Sequence, residues 1–265
     1  MAHAYVHIGT EKTGTTYIQD FLKTNAELIA LNGAHFPTYF MFRRNLRLVV
    51  PFARERDDID FKPGDKSPTD IDAVLLDLDE RLSGAQGTWI FSAEHLSSRL
   101  DTPEEVGAFL AWLDGYFDTV TVVLFLRRQD FMIPSSYSTR VMGGGSEPLG
   151  TGDTHSTLFD LESVVDSWAA HLEPENFIVR PYFEGTTGTT LIHEFFATVN
   201  LPVDAPWENP PSRSNKRLSG DALEVLRLIN RQLEPQPNRK HQNGWKRLRD
   251  YLQQLPGEPW QLPGG

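Results

Sequence analysis

The stretch Tyr5-Val-His-Ile-Gly-Thr-Glu-Lys-Thr-Gly-Thr-Thr16 decides how this chain is built. Tyr5 to Ile8 is a short apolar, β-rich run, and just beyond the quoted stretch Ile18, Phe21 and Leu22 recur at the spacing of one helix face. Between strand and helix lies a turn, Gly9 to Thr16, that carries two glycines. Glycine has no Cβ, so such a turn can curl until successive backbone N–H groups point inward, and the N-terminus of the following helix adds a potential favourable to an anion. Lys12 contributes a full positive charge, and Thr13, Thr15 and Thr16 contribute hydroxyl donors. A tight strand-to-helix turn with no ligand is the structural alternative, but strand, loop and helix together favour a phosphate cradle. The Walker A spacing, Gly-x-x-x-x-Gly-Lys-Ser/Thr, needs lysine directly after the second glycine. Here Thr15 follows Gly14 and the lysine sits inside the loop, so the loop is not that of an ordinary ATPase.

Working outward, further β-rich runs stand at Trp89 to Phe91, Val120 to Leu126 and Phe177 to Val179. Helical patterns lie between them. Val106, Phe109, Leu110 and Leu113 share one face, behind a start signal in which Thr102 and Glu105 have capping-box spacing and Pro103 takes the first helical position. Another helix is predicted from Ser219, carrying Leu223, Leu226, Ile229 and Leu233 before Pro235 ends it. Strands alternating with helices imply an α/β fold with a central, mainly parallel sheet flanked by helices, of the P-loop nucleotide-binding kind. Ligands then bind beyond the carboxyl ends of the strands.

The 265 residues suit a single domain, with a mobile loop around residues 143–157 and a helical C-terminal part over 219–255. A net charge of −11 disfavours nucleic acid and anionic membranes as partners, so an anionic ligand needs a local basic patch. With no cysteine there is neither a disulfide framework nor a thiolate metal site. No apolar run approaches the roughly 20 residues that span a bilayer, and no secretory signal precedes Tyr5, so a cytoplasmic location is expected.

A second motif supplies the basic patch. Leu124-Phe-Leu-Arg-Arg-Gln-Asp-Phe-Met-Ile-Pro-Ser-Ser-Tyr-Ser-Thr-Arg140 begins as a buried strand and emerges with two arginines at the expected ligand edge. Arginine on a strand end can fork onto a phosphate, and Ser135, eight positions after Arg127, can add a hydroxyl. Kinases and GTPases more often place a carboxylate there to hold Mg²⁺, which arginine would repel.

The Lys-Thr-Gly-Thr-Thr loop at Lys12 to Thr16, with Arg127 and Ser135 at eight-residue spacing, resembles the sulfotransferases of bacterial type, which use 3′-phosphoadenosine 5′-phosphosulfate (PAPS). Phe177-Ile-Val-Arg-Pro-Tyr-Phe-Glu184 resembles the family's later strand and turn. The resemblance implies that Lys12, Thr13, Gly14, Thr15 and Thr16 hold the 5′-phosphosulfate and that Arg127 with Ser135 holds the 3′-phosphate. Family members often have proline soon after the first arginine, whereas here Arg128 and Gln129 come next and the proline is Pro134, which leaves Arg127 and Arg128 both open. Ser212 to Arg217, with Arg213 and Lys216, reads as a solvated basic loop or as the counterpart that the resemblance implies for the family's later basic loop.

The chemistry so implied moves a sulfuryl group from PAPS to a hydroxyl or amine of a carbohydrate, lipid or small metabolite, with no metal required. Lys12 neutralises the leaving 5′-phosphate. A general base is expected near a strand end, and Trp89-Ile-Phe-Ser-Ala-Glu-His95 offers Glu94 first and His95 second, with His7 a weaker third. His3 and His7, lacking a carboxylate partner, make a poor metal site. Phe36, Tyr39, Phe40 and Phe42 are candidates for an acceptor pocket, and the basic run Arg239, Lys240, Lys246, Arg247 and Arg249 reads as a solvated face or an attractor of an anionic acceptor. Two other readings stand beside this one: a kinase-like phosphotransferase using ATP and Mg²⁺, and a non-catalytic nucleotide-binding protein.

Overall fold

A computed structural model of the chain describes residues 1–38, 46–53, 71–149, 159–211, 218–233 and 243–261. These fall into two compact units, Met1–Arg127 with Asp160–Pro211, and Arg128–Phe159 with Ser212–Gly265.

The first unit is built on strands β1 (Ala2–His7), β2 (Ala34–His35), β3 (Gly87–Ser92), β4 (Thr119–Arg127) and β5 (Phe177–Tyr182). They form one sheet in the order β2-β3-β1-β4-β5, and every neighbouring pair is parallel. The mainly parallel, helix-flanked α/β sheet expected from the sequence is therefore what forms. Parallel strands need long crossovers, and helices of this unit contribute to them: α1 (Thr15–Thr24), α2 (Ala26–Leu31), α3 (Ile71–Leu82), the short α4 (His95–Arg99), α5 (Pro103–Leu113) and α7 (Leu161–Ala169), while α8 (Gly188–Thr198) follows the last strand. The intervening α6 (Gln129–Met142) belongs to the second unit, with α9 (Gly220–Gln232) and α10 (Asn243–Leu252).

Both faces of the sheet are covered, and side-chain alternation along each strand sorts the core into two layers. Ala4, Val6, Phe91, Val122 and Leu124 pack with α3, α5 and Trp168 of α7. Tyr5, Ile90, Val123 and Phe125 pack with Ile18, Phe21 and Leu22 of α1 and with Leu191, Phe195 and Phe196 of α8. The predicted faces of α1 and α5 are thus the buried ones. The capping box is also present: Thr102 accepts from the Glu105 N–H at 3.3 Å and Glu105 accepts from the Thr102 N–H at 3.2 Å. Strand β2 has no counterpart in the sequence reading, because two residues are too few to show a period of two.

In the second unit Tyr137 and Val141 of α6 pack with Leu223 and Leu226 of α9 and Trp245 and Leu252 of α10. Buried Asn230 donates to Val141 O at 2.8 Å and Gly145 O at 2.7 Å, satisfying carbonyls at the end of α6. Ser219 caps α9 by accepting from the Ala222 N–H at 3.3 Å, as its position before the apolar pattern predicts. Lys246, Arg247 and Arg249 lie on α10. Tyr39, Phe40, Phe42, 150–158, Ser212 to Arg217, Pro235, Arg239 and Lys240 lie outside the described residues.

Candidate functional site

The glycine turn forms where three central strands end. β1 continues past His7 as a ladder: Ile8 N–H donates to Val123 O at 3.0 Å and Thr10 N–H to Phe125 O at 2.9 Å, while Ala93 N–H on the other side donates to His7 O at 2.9 Å. The turn is therefore mounted between the tails of β3 and β4. Gly9 approaches the second residue past β3 so closely that a Cβ on it would lie 3.3 Å from Glu94 Cα. Lys12 and Gly14 both take left-handed backbone, at φ 70 and φ 78, on either side of Thr13. Such alternation turns backbone N–H groups into one concavity. Gly14 is also the N-cap of α1 and, as a glycine, gives the first N–H groups of the helix no side-chain cap.

The loop's threonines divide by role. Thr13 is fully buried and its hydroxyl donates to Thr10 O, closing the loop on itself. Thr15 is buried at the first helical turn, whereas Thr16 and Lys12 are partly exposed. Of the loop's polar side chains, Lys12 and Thr16 are thus the ones that solvent partly reaches.

Beside the loop, Glu94 and His95 come after β3 as expected, in different environments. Glu94 is 2% exposed and accepts from Gln19 Nε2 of α1 at 2.7 Å. His95 opens α4 with its side chain 15% exposed, and its Nδ1 lies 3.5 Å from Glu11 Oε1. Ser98 Oγ donates to the same Glu11 oxygen at 2.8 Å. Burial by itself would raise the Glu11 carboxyl, but the His95 ring, the Ser98 hydroxyl and nearby Arg99 outweigh it and bring it down to about 2. His7, by contrast, is sealed in the sheet, its Nδ1 2.8 Å from Ser92 Oγ and its ring edge-on to Phe125 and Phe195. Burial pushes that imidazole down to about 3. It is a neutral structural group, not an exposed base.

On the β4 side Arg127 is 4% exposed and reaches directly under the loop. Its Nη1 donates to Lys12 O at 2.9 Å, its Nη2 donates to Glu184 just past β5, and its guanidinium lies 5.6 Å from the Tyr182 ring. The guanidinium braces the left-handed Lys12 and meets a carboxylate where an anion would be welcome. Arg127 and the backbone of Lys12 are thus brought together. Arg128 and Ser135 belong to the second unit. Arg128 is exposed, pairs with Asp130 at 2.7 Å and lies over the Phe131 ring, and Ser135 is half-buried within α6.

Four residues of this neighbourhood escaped the sequence reading: Glu11, Gln19, Ser98 and Glu184. Glu11 stands inside the quoted motif, but an acidic residue in an anion loop carries no signal by itself. The others gain their roles only through contacts between elements far apart in the chain. Among the described residues no group of three or more His, Cys, Asp or Glu is placed to hold a metal ion, and no helix is long and apolar enough to cross a membrane.

Against known structures, the chain matches a sulfotransferase from Alicyclobacillus acidocaldarius with a TM-score of 0.50 and 13% identity, over 91% of this chain and 98% of that one. The sulfotransferase domain from the curacin biosynthetic pathway matches at a TM-score of 0.41 and 12% identity, over 96% and 98%. No family model and no curated protein matches the sequence. At such identity the first likeness shows a shared fold: this α/β chain has the sulfotransferase-type, P-loop-like architecture.

Proposed function

We propose that the protein is a sulfotransferase that moves a sulfuryl group from PAPS to a hydroxyl or amine of a carbohydrate, lipid or small metabolite. The observation that carries this reading is the hydrogen bond between Arg127 and the Lys12 carbonyl, which sets the charged loop and the strand-end arginine in one place. The shared fold supports it.

The residues present suit such a donor: a helix start with no N-cap side chain, two left-handed residues beside it, and a lysine among them. PAPS supplies the activated sulfuryl group. Lys12, with the backbone at Gly14 and the hydroxyls of Thr15 and Thr16, would stabilise charge on the departing 5′-phosphate, where preorganised donors act most strongly. Thr13 would hold the loop's shape. Arg127 keeps its part of the 3′-phosphate assignment implied by the resemblance. Glu94 and His95 are the candidate bases, and the greater exposure of His95 favours it.

The test is thermal. Adenosine 3′,5′-bisphosphate, the product nucleotide, should raise the melting temperature with Mg²⁺ absent, by an amount equivalent to about 2.7 kcal/mol at a hundred times its Kd. Stabilisation by ATP with Mg²⁺ alone would instead favour the kinase-like reading. Mass-spectrometric screening of hydroxylated glycans and metabolites for an added sulfuryl group would identify the acceptor, and transfer to none of them would leave a nucleotide-binding protein without catalysis.

A further inference from the structure

We infer that Glu11 is a positioning residue: its carboxylate holds His95 as the Nδ1–H tautomer and so keeps Nε2 unprotonated and able to take a proton from the acceptor. The inference deepens the sulfuryl-transfer reading and rests on it for the proton's origin. In that step the acceptor oxygen or nitrogen bonds to sulfur, the bond from sulfur to the 5′-phosphate oxygen breaks with its electron pair leaving on the phosphate, and the acceptor proton passes to His95 Nε2.

The geometry is asymmetric in the way such a role requires. His95 Nδ1 is buried, closes no hydrogen bond among the described residues and faces Glu11 Oε1 at 3.5 Å, so the ring's ion pair with the carboxylate runs through Nδ1 and not Nε2. The two atoms stand at ion-pair distance rather than in a closed hydrogen bond. Glu11 is itself oriented, because Ser98 Oγ donates to the same oxygen. His95 and Ser98 are three residues apart on α4, so one helical turn sets both partners of the carboxylate. Across neutral pH Glu11 is ionised, with Arg99 as the further charge beside it and Glu94 next to His95 in the chain. Glu94 does not compete for the ring's outer nitrogen, since Gln19 holds it inside.

Which nitrogen of an imidazole carries the proton is set by what the other nitrogen meets. A carboxylate at Nδ1 therefore selects the tautomer that a base acting through Nε2 needs. The placement has a second consequence. Glu11 lies between Thr10, tied to β4, and Lys12, whose carbonyl Arg127 holds. The loop that grips the donor thus also carries the group that readies the base.

Long-range ¹H–¹⁵N NMR on the full chain labelled at histidine reads the tautomer directly, with the His95 signals identified by their loss in His95→Asn. In the neutral ring the wild type should show the Nδ1–H tautomer, and Glu11→Ala should shift it to Nε2–H or a mixture. Affinity for adenosine 3′,5′-bisphosphate, measured by calorimetry, should stay within about threefold, while kcat for transfer falls about tenfold to a hundredfold with little change in the donor KM. Glu11→Asp should recover part of kcat. An Nε2–H tautomer in the wild type, or one that Glu11→Ala leaves unchanged, overturns the inference. Should Glu11→Ala not fold, the wild-type tautomer and the kcat of Glu11→Gln decide in the same way. If the bisphosphate does not bind, the transferase reading fails, whereas the tautomer result still reports on Glu11.

Discussion

Replacing Gly14 by alanine probes the glycine turn and the packing beneath it together. Gly14 sits at φ +78, and a Cβ built there lies 2.5 Å from Leu191 Cδ2 and 3.6 Å from Tyr182 Cε2. Left-handed backbone alone costs a residue with a Cβ about 1 kcal/mol or somewhat more. The approach to Leu191 adds to this, since overfilling a packed core typically costs about 1–3 kcal/mol. Leu191 is 3% exposed among Phe195, Ile192 and Tyr182, so its methyl has little room to swing aside. Together these give a loss of about 2–4 kcal/mol, or about 4–16 °C in Tm for a chain of this length. Leu191→Ala separates the two causes. By itself it costs about 2–5 kcal/mol through the cavity it leaves. In the double variant the new methyl enters that cavity, so the losses should fall short of additivity by about 1–3 kcal/mol. Urea unfolding monitored by far-UV circular dichroism and tryptophan fluorescence reads all three variants. Additivity to within about 0.5 kcal/mol would mean that the Cβ does not meet Leu191, and would refute this placement of the loop over α8.

Lys12→Ala should leave the melting temperature within a few degrees of wild type but lower kcat by about a hundredfold to a thousandfold, the scale for removing one preorganised charge-stabilising donor; an unchanged kcat would remove Lys12 from the reaction. Because burial holds the His7 imidazole down at about 3, the folded chain keeps it neutral while the unfolded chain takes up a proton below about 6.5. Stability from this group is complete above about pH 6.5 and falls toward pH 3, by up to about 1.4 kcal/mol per pH unit, and urea titrations against pH should show that slope flattened in His7→Gln. Arg127→Lys keeps the charge but cannot bridge the Lys12 carbonyl and Glu184 with one planar group, so it should cost about 1–3 kcal/mol of stability in urea unfolding and weaken stabilisation by the bisphosphate; a variant equal to wild type in both would deny the brace.

The sheet was legible because its strands announce themselves twice, by their own composition and by the helical patterns on either side. Val120 to Leu126 is a run of β-branched and apolar residues set between such patterns, and a strand buried on both faces requires that composition. Its alternation then decides which neighbour meets α1 and which meets α5. Strand β2 and the division into two units were not legible. Ala34–His35 has no periodicity, and it becomes a strand only because Thr88 and Trp89 lie alongside to pair with it. The departure of α6 from the first unit results from the partners its apolar face finds, Leu223, Leu226 and Trp245, about 80 to 110 residues further along.

The site divides along the same line. Part of what the loop does through its own backbone could be read from letters, since glycine at Gly14 permits φ +78, whereas nothing in a lysine announces the φ 70 of Lys12. What its side chains do depends on contacts across the fold, and there residue type misleads. Thr13 looks like a ligand hydroxyl, yet it donates to Thr10 O inside the loop. Arg127 looks like a surface cation at a strand end, yet it is buried and divided between a carbonyl and a carboxylate. Glu11 looks unsuited to an anion site, yet its charge is turned aside toward His95, Ser98 and Arg99. A carboxylate aimed at the cradle would oppose an incoming phosphate, whereas one aimed at an imidazole leaves the cradle's potential to Lys12 and the start of α1. The loop can therefore hold both signs of charge, provided the two are directed to different partners.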